Sequence, residues 1–355
     1  MNKITKIDFN YFNIPFKAPV NIAGNKVYNR EGFIITIADK YNNIGYGEIA
    51  PLKGLDNETL ERCRAEIILF KEQFFNKIIE FKNFNLTLPF FGIISPNSLK
   101  FSSNVLFGIE SALLFLWIMG NRQKTLDIFR LDSSDYLIST INGLYIPENN
   151  ESKNLLQMEY LKEKGFKTVK AKISRMSKAD EIAQIQKLWD FFKGNLVIRL
   201  DANRYLNFCD YRQYYEELKH INIEYVEEPM PDIEQASKVP WPIALDESLH
   251  KHINPESNYI LNIPDEIKAI IIKPSSFYGI SSVFRIINFC LERNIKVILS
   301  SAFNTSIGIT AIALISNYIK ISDNIAHGLD TLKYLNEDMS LQKWKIEHGK
   351  LIIGI

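Results

Sequence analysis

Hydrophobic residues follow two different rhythms along this 355-residue chain, and the change falls near Tyr136. Before it, apolar positions alternate as in half-buried strands, where every second side chain faces the same side. Ile4 to Phe16 alternates loosely. Gly32-Phe33-Ile34-Ile35-Thr36-Ile37 is a firmer strand, and Asn42-Asn43 marks a turn into Ile44–Ile49. Asp56-Asn57-Glu58-Thr59 has the residue types that start a helix, and an apolar helical pattern follows through Phe75. A second helix is expected from Ser103 to Met119. These elements predict an antiparallel sheet with accompanying helices.

After Tyr136, strands alternate with helices. The pattern predicts strands at Ser139–Gly143, Thr168–Ile173, Leu196–Asp201, Ile223–Glu228, Ile243–Asp246, Ala269–Lys273 and Lys296–Ser301. Helices fill most gaps, as at Lys178–Phe192, Asp210–His220, Ser281–Arg293 and Ile307–Tyr318. Repeated β-α units imply parallel strands joined by right-handed crossovers. Seven or eight such units favour a closed α/β barrel over a doubly wound sheet. No glycine-rich phosphate loop follows the first strand, which removes the main support for a dinucleotide fold. The tail from Trp344 to Ile353 forms a hairpin pattern with its turn at His348-Gly349, expected to pair with the N-terminal sheet. The predicted division is a cap over 1–130, a barrel over 131–330 and a return to the cap over 331–355.

Composition narrows the function. At 46% hydrophobic the chain has ample material for a large core. A net charge of +1 gives no support for a nucleic-acid partner or an anionic membrane surface. Cys63, Cys209 and Cys290 are scattered, as expected in a reducing compartment without a disulfide framework or zinc cluster. The N-terminus lacks a continuous apolar segment of the signal-peptide kind. The longest apolar run, Val105 to Gly120, is interrupted by Glu110 and reads as core, so a cytoplasmic protein is the expectation.

The candidate chemistry lies at the strand ends, where a barrel of this type carries its active site. Lys170 and Lys172 are two apart and share a face, as do Arg199, Asp201 and Asn203. Two lysines aimed together repel and resist burial, so they need anions nearby. The fourth strand ends in Glu227-Glu228-Pro229, the fifth in Asp246-Glu247-Ser248, the sixth in Lys273-Pro274-Ser275 and the seventh in Ser300-Ser301. Carboxylates on three neighbouring strands repel unless a cation sits among them, and oxygen-only donors point to a hard ion such as Mg²⁺. Lysines on the second and sixth strands would flank that ion. Such a site suits removal of a proton next to a carboxylate, with a lysine made less basic by its cationic neighbours as the base. Singly, each residue has an ordinary structural explanation: Asp201 could cap a helix, Glu227-Glu228 could be a solvated turn, and the lysines a surface strand edge. Ser300-Ser301 is expected to bind a substrate carboxylate, the alternative being strand closure. His220, His250, His252, His327 and His348 are expected on the surface or in loops.

These residues resemble the enolase superfamily on its muconate cycloisomerase side, which has a second-strand lysine pair, an aspartate–glutamate–aspartate triad and a sixth-strand lysine. Gly47-Glu48-Ile49-Ala50-Pro51-Leu52 and the C-terminal hairpin resemble that superfamily's capping domain. The implied fold is a modified TIM barrel, (β/α)7β, with an α+β cap built from both termini. Arg199–Arg204, Leu245–Leu249 and Gly328–Leu332 are similar to segments of the o-succinylbenzoate synthase family of menaquinone biosynthesis. The resemblance implies Asp201, Glu227 and Asp246 as ligands for Mg²⁺, with Mn²⁺ able to substitute. The phase of the fourth strand agrees: Tyr225 and Glu227 share one face and Glu228 takes the other. It further implies Lys172 as base and then acid, Lys273 as an electrostatic stabiliser, and Lys170, Arg199 and Asn203 as supporting groups. The implied reaction is syn dehydration of 2-succinyl-6-hydroxy-2,4-cyclohexadiene-1-carboxylate, a small carboxylate substrate, with cap loops at Lys17–Asn25 and Pro51–Leu55 closing over the succinyl tail. Three departures matter. Many relatives have a glutamate near Asn304, and this chain has none. Gly328-Leu329-Asp330 lacks the first aspartate with which dipeptide epimerases bind an amine. The 19-residue interval from Glu227 to Asp246 implies a trimmed helix. N-succinylamino acid racemase or another epimerase activity is the alternative, and a non-catalytic barrel a third.

Overall fold

The computed structural model describes residues 2–95, 100–131, 135–254, 259–260, 263–319, 325–339 and 343–354. Its N-terminal part is a long antiparallel hairpin, β1 (Asn2–Ile22) and β2 (Asn25–Asp39), turning at Ala23-Gly24 where both φ values are positive. β3 (Ile44–Ile49) pairs with β2, and after α1 (Leu60–Phe74) the short β4 (Ile78–Ile79) pairs with β1, giving the order β3-β2-β1-β4. Thr59 caps α1, its side chain accepting from the Arg62 N–H at 3.2 Å.

α2 (Ser103–Gly120) lies against β3 with almost no side-chain spacer. A Cβ built on Gly47 would stand 1.8 Å from the Gly108 carbonyl oxygen, and one on Gly45 1.9 Å from that of Ala112. Glycine is therefore required by close backbone approach, which also explains the Gly47-Glu48 segment. α2 is long and apolar enough to cross a membrane by length and composition. Here it is mostly buried within the protein, and Glu110 binds the Ser281 N–H and hydroxyl at 2.8 Å each.

After α3 (Arg122–Phe129), β5 (Tyr136–Thr140) and β6 (Gly143–Tyr145) together cover the expected first barrel strand. That strand is split. Only β6 joins the barrel, whereas β5 pairs with the C-terminal hairpin, and the change of partner across Ile141-Asn142 is invisible to local periodicity. The parallel units continue as α4 (Glu151–Glu163), β7 (Thr168–Lys172), α5 (Lys178–Phe191), β8 (Val197–Asp201), α6 (Phe208–Leu218) and β9 (Ile223–Glu227). A trimmed α7 (Ile233–Ala236) then leads into β10 (Ile243–Leu245), in line with the short Glu227–Asp246 interval. Between the fifth and sixth barrel strands stand a 3-10 turn (Glu247–His252) and a small ladder of β11 (Ile253–Asn254) and β12 (Tyr259–Ile260). β13 (Ile267–Ile272), α8 (Ile280–Glu292), β14 (Lys296–Leu299) and α9 (Ser306–Tyr318) complete the repeat.

The parallel sheet runs β14-β13-β10-β9-β8-β7-β6. The segment at His327-Gly328 closes it into a barrel, bridging Ile141 on one side and Ser300 on the other. His327 is therefore buried at 3% exposure, which corrects the expectation of a surface or loop residue. The C-terminal hairpin, β15 (Trp344–Glu347) and β16 (Lys350–Gly354), turns at His348-Gly349 as expected. Its partner is β5 rather than the N-terminal sheet, and this small sheet rests on α9 through Ser139 and Ser316, 2.8 Å apart. The link back to the N-terminal hairpin is made earlier, where Leu335 bridges Phe16 and the Asn336 N–H donates to Pro15 at 2.9 Å.

Candidate active site

Helix caps free the barrel carboxylates from structural duty. α4, α5, α6 and α7 are capped by Asn150, Ser177, Asn207 and Asp232, so Asp201 caps nothing. Several positive-φ residues other than glycine lie in the loops that follow the barrel strands, among them Ser174, Asn203, Arg204 and Glu228.

The ladder places Lys172 beside Asp201 and Asp201 beside Glu227, with β10 and then β13 following. The inner wall consequently reads Lys170 and Lys172, Asp201, Glu227, Asp246, Lys273. Lys170 Nζ lies 2.9 Å from Asp201 Oδ2 and 3.1 Å from Glu227 Oε1. Lys172 Nζ lies 2.8 Å from Asp201 Oδ2 and donates to Asn203 Oδ1 at 3.2 Å. Asn203 Nδ2 donates to Asp201 Oδ1 at 2.7 Å, so Asn203 sets both members of that pair. Lys273 is paired with Asp246.

Burial acts on every group here, and neighbouring charge decides the outcome. Burial alone would lower Lys170, but Asp201 and Glu227 outweigh it and hold the ammonium well above its usual range. Lys273 follows the same logic, raised by Asp246 and Glu247 against burial. Burial pushes Asp201 up, yet Lys170 and Lys172 together bring it below the usual carboxylate range. Glu227 goes the other way: burial, reinforced by the negative Asp201, pushes it up to about 8.

Arg199 shares the inward face but not the wall. It lies one pleat deeper, donating to Glu224 Oε2 at 2.7 Å, Asn142 Oδ1 at 3.1 Å and the Ala326 carbonyl at 2.6 Å, with Tyr225 beneath it. Expected as a supporting group, it supports from below: it braces the barrel floor between the closing segment and β9 and makes no contact with the carboxylates of the wall. Ser301 is likewise engaged inside the protein, its Oγ accepting from the Asn304 N–H at 3.0 Å and meeting Thr331 Oγ1 at 2.9 Å. Ser300 remains half-buried at the seventh strand's end.

Glu247 follows Asp246 at the end of the fifth barrel strand. Its Oε2 is buried with no hydrogen-bond partner, and burial together with Asp246 raises its carboxyl. Asp201, Glu227, Asp246 and Glu247 thus face Lys170, Lys172 and Lys273, and if all were ionised the group would be one positive charge short. Among the described residues no three such side chains converge at metal-holding distances, because each carboxylate of the wall is turned onto a lysine. The all-oxygen donor set, its charge deficit and the orphaned Glu247 oxygen fit a hard divalent cation.

Of the two expected cap loops, the first is mostly strand and the second is a loop. Residues 17–22 belong to β1, which bulges between the Pro15–Asn29 and Val20–Val27 pairs, and Phe16 packs edge-on against Phe303 at 5.4 Å. Pro51–Leu55 faces the hairpin across a cleft of about 570 Å³ lined by Lys26, Tyr28, Glu31, Lys53, Asp56 and Glu58. Arg30 ties this region to the barrel rim, its Nε donating to the Phe303 carbonyl at 3.1 Å.

Comparison with known proteins follows this architecture. Residues 155–353 match the family described as enolase C-terminal domain-like, and residues 4–93 match the MenC N-terminal domain. The chain is 25% identical over 342 residues to o-succinylbenzoate synthase of Haemophilus influenzae, spanning 94% of this chain and 91% of that protein. It is 23% identical over 341 residues to the chloroplastic protein PHYLLO of Arabidopsis thaliana, covering 88% of this chain but only 20% of that longer protein. In fold it is similar to the L-Ala-D/L-Glu epimerase of Bacillus subtilis, with a TM-score of 0.78, 20% identity, and coverage of 99% and 97% of the two chains.

Proposed function

The chain belongs to the enolase C-terminal domain-like family, and on that premise we propose that it dehydrates 2-succinyl-6-hydroxy-2,4-cyclohexadiene-1-carboxylate to o-succinylbenzoate in menaquinone biosynthesis. The observation that carries this reading is the charged wall: a lysine pair and an opposing lysine flank carboxylates from three consecutive parallel strands. The similarity to o-succinylbenzoate synthase over nearly the whole chain supports it, as does the MenC N-terminal domain match in the cap.

In this reading Lys172 takes the proton α to the substrate carboxylate. The electron pair moves into the ring, and the hydroxyl leaves from the same face, where the Lys172 ammonium returns the proton to release water. Aromatisation drives the reaction forward, so the protein mainly eases one proton removal. Lys273, kept charged by Asp246, faces the developing negative charge from across the site. Asn203 holds Lys172 and Asp201 in fixed relation. Asp201, Glu227 and Asp246 would hold Mg²⁺, or Mn²⁺ in its place, which when bound neutralises charge on the substrate carboxylate oxygens. The half-buried Ser300 would meet the substrate carboxylate, and the cleft between Lys26–Glu31 and Pro51–Leu60 would take the succinyl tail.

Lysines on both sides of one carbon also suit racemisation of N-succinylamino acids, and the epimerase-like fold keeps that reading open. An amine-bearing substrate fits poorly, because Asp330 is already paired with Lys333 and accepts from the Tyr160 hydroxyl at 3.0 Å. The test is conversion of the cyclohexadiene with Mg²⁺, after chelation and after Mg²⁺ restoration, run beside solvent deuterium exchange into N-succinylamino acids. Mg²⁺-dependent dehydration is expected. Rapid exchange without dehydration would refute the dehydratase reading, and an inert protein would favour a non-catalytic barrel.

A further inference from the structure

Glu228 follows Glu227 but points elsewhere. Its φ is +45°, a left-handed conformation that a non-glycine residue adopts only when its surroundings impose it. This turn sends two successive carboxylates to different places. Glu227 enters the charged wall, while Glu228 is sealed in the rim at 0% exposure.

Every polar group of Glu228 is engaged with a neighbouring strand-end loop. Its N–H donates to the Ala244 carbonyl of β10 at 3.0 Å, and its own carbonyl accepts from the Arg204 N–H at 2.6 Å. Oε1 accepts from the Asp246 N–H at 2.9 Å and the Ser248 N–H at 2.7 Å. Oε2 accepts from the Ser248 hydroxyl at 2.7 Å, and Arg204 Nε stands 3.9 Å from it. On the β8 side, Arg204 adjoins Asn203, which binds both Lys172 and Asp201. One buried residue therefore grips the loop that carries Asp246, the Asn203-Arg204 turn that follows Asp201, and the peptide that carries Glu227.

We propose that Glu228 is the positioning residue that sets the spacing of Asp201, Glu227 and Asp246, and so tunes how tightly the three bind a divalent cation. This rests on the reading of those carboxylates as the cation site. The physical argument is independent of it: the ladder sets Asp201 beside Glu227, but Asp246 lies past the end of β10, so its distance from the other two needs a further tie. A charged acceptor with two N–H donors and a hydroxyl is a strong tie, because bonds to an ionised group are roughly twice as strong as neutral ones. Outer groups of this kind typically change metal affinity by about 10–100-fold when removed.

The test measures Mn²⁺ binding by electron paramagnetic resonance in the substrate-free protein, for wild type, Glu228→Gln and Glu228→Ala. Melting of the cation-free proteins is followed in parallel. Glutamine keeps an oxygen for the two N–H groups but loses the charge, so Kd should rise about tenfold; alanine removes the tie, and Kd should rise about 100-fold. Should Glu228→Ala fail to fold, Glu228→Gln carries the comparison alone. A purely structural role would lower the melting temperature and leave the Mn²⁺ Kd of the folded variant at the wild-type value, which would overturn the proposal. A wild type that takes up no Mn²⁺ would instead overturn the cation-site reading itself.

Discussion

Acid should loosen the barrel where its last strand closes it. His327 is 3% exposed, its N–H donates to Thr140 and its carbonyl accepts from Asn142, both at 2.9 Å. Its Nδ1 accepts from the Leu299 N–H at 3.0 Å, which requires a bare nitrogen there and hence a neutral ring. Burial, and after it the Arg199 guanidinium, lowers the imidazole from 6.5 to about 3. Between those values the unfolded chain binds a proton that the folded chain refuses. The stabilisation is therefore complete above 6.5 and is lost as the pH falls toward 3. At about 1.4 kcal/mol per pH unit, roughly 2 kcal/mol should be gone by pH 5. Urea unfolding of wild type and His327→Asn at pH 7.5, 6 and 5 isolates the effect, since the asparagine oxygen can accept from Leu299 without titrating. The stability gap between the two proteins should narrow by about 2 kcal/mol over that range. Parallel pH profiles would refute the reasoning, because carboxylate protonation elsewhere affects both proteins alike.

Glu48→Ala should cost about 3–5 kcal/mol in urea unfolding, since it leaves Arg30 buried without its counter-charge at 3.8 Å; a loss below ~1 kcal/mol would show that the backbone carbonyls around Arg30 suffice. Gly47→Ala should destabilise by about 1–3 kcal/mol or more, because its methyl would stand 1.8 Å from the Gly108 carbonyl oxygen and force β3 off α2; an unchanged urea midpoint would contradict that contact. Lys172→Ala should reduce dehydration by at least ~10²–10⁴-fold, measured as kcat at saturating substrate. Full activity would remove Lys172 from the base role.

The sequence revealed elements whose cause is local and missed those whose cause is a distant partner. The alternation of Lys170 with Lys172, and of Arg199 with Asp201, follows from the two-residue period of a strand, and the ladder places these residues on one inner face. The same period cannot say how deep in a barrel each residue lies. Arg199 therefore shares a face with Asp201 in the pattern, while in the fold it braces the floor. The split of Ser139–Gly143 into β5 and β6 depends on residues more than 180 positions away, which no window includes. His327 belongs to a closing strand too short to carry a pattern of its own. Ser301 looked available because its partners, Asn304 and Thr331, are brought to it by loops.

Counting donors separates the buried carboxylates into two kinds. Glu48 accepts from Asn304 Nδ2, the Thr305 N–H and hydroxyl, and the Gly308 N–H; Glu110 accepts from Phe90 and twice from Ser281. Glu181 takes the N–H groups of Ser174, Arg175 and Met176 and the Tyr214 hydroxyl, and Glu228 takes three donors from Asp246 and Ser248. Fixed protein dipoles satisfy each of these, so each can be buried as structure: two join the cap to the starts of α9 and α8, and two hold strand-end loops. Glu227 and Asp246 are matched by lysine ammoniums, and Asp201 by two lysines and the Asn203 side-chain amide, with one longer contact from the Asn203 N–H at 3.3 Å. Those partners are mobile charges on flexible stems, able to release the carboxylates to another cation or to turn toward a substrate. A buried carboxylate held by backbone N–H groups is committed to the fold. One held by lysines is free for chemistry, and apart from Asp330, which is paired with Lys333 and Tyr160, such carboxylates stand together at the ends of three consecutive barrel strands.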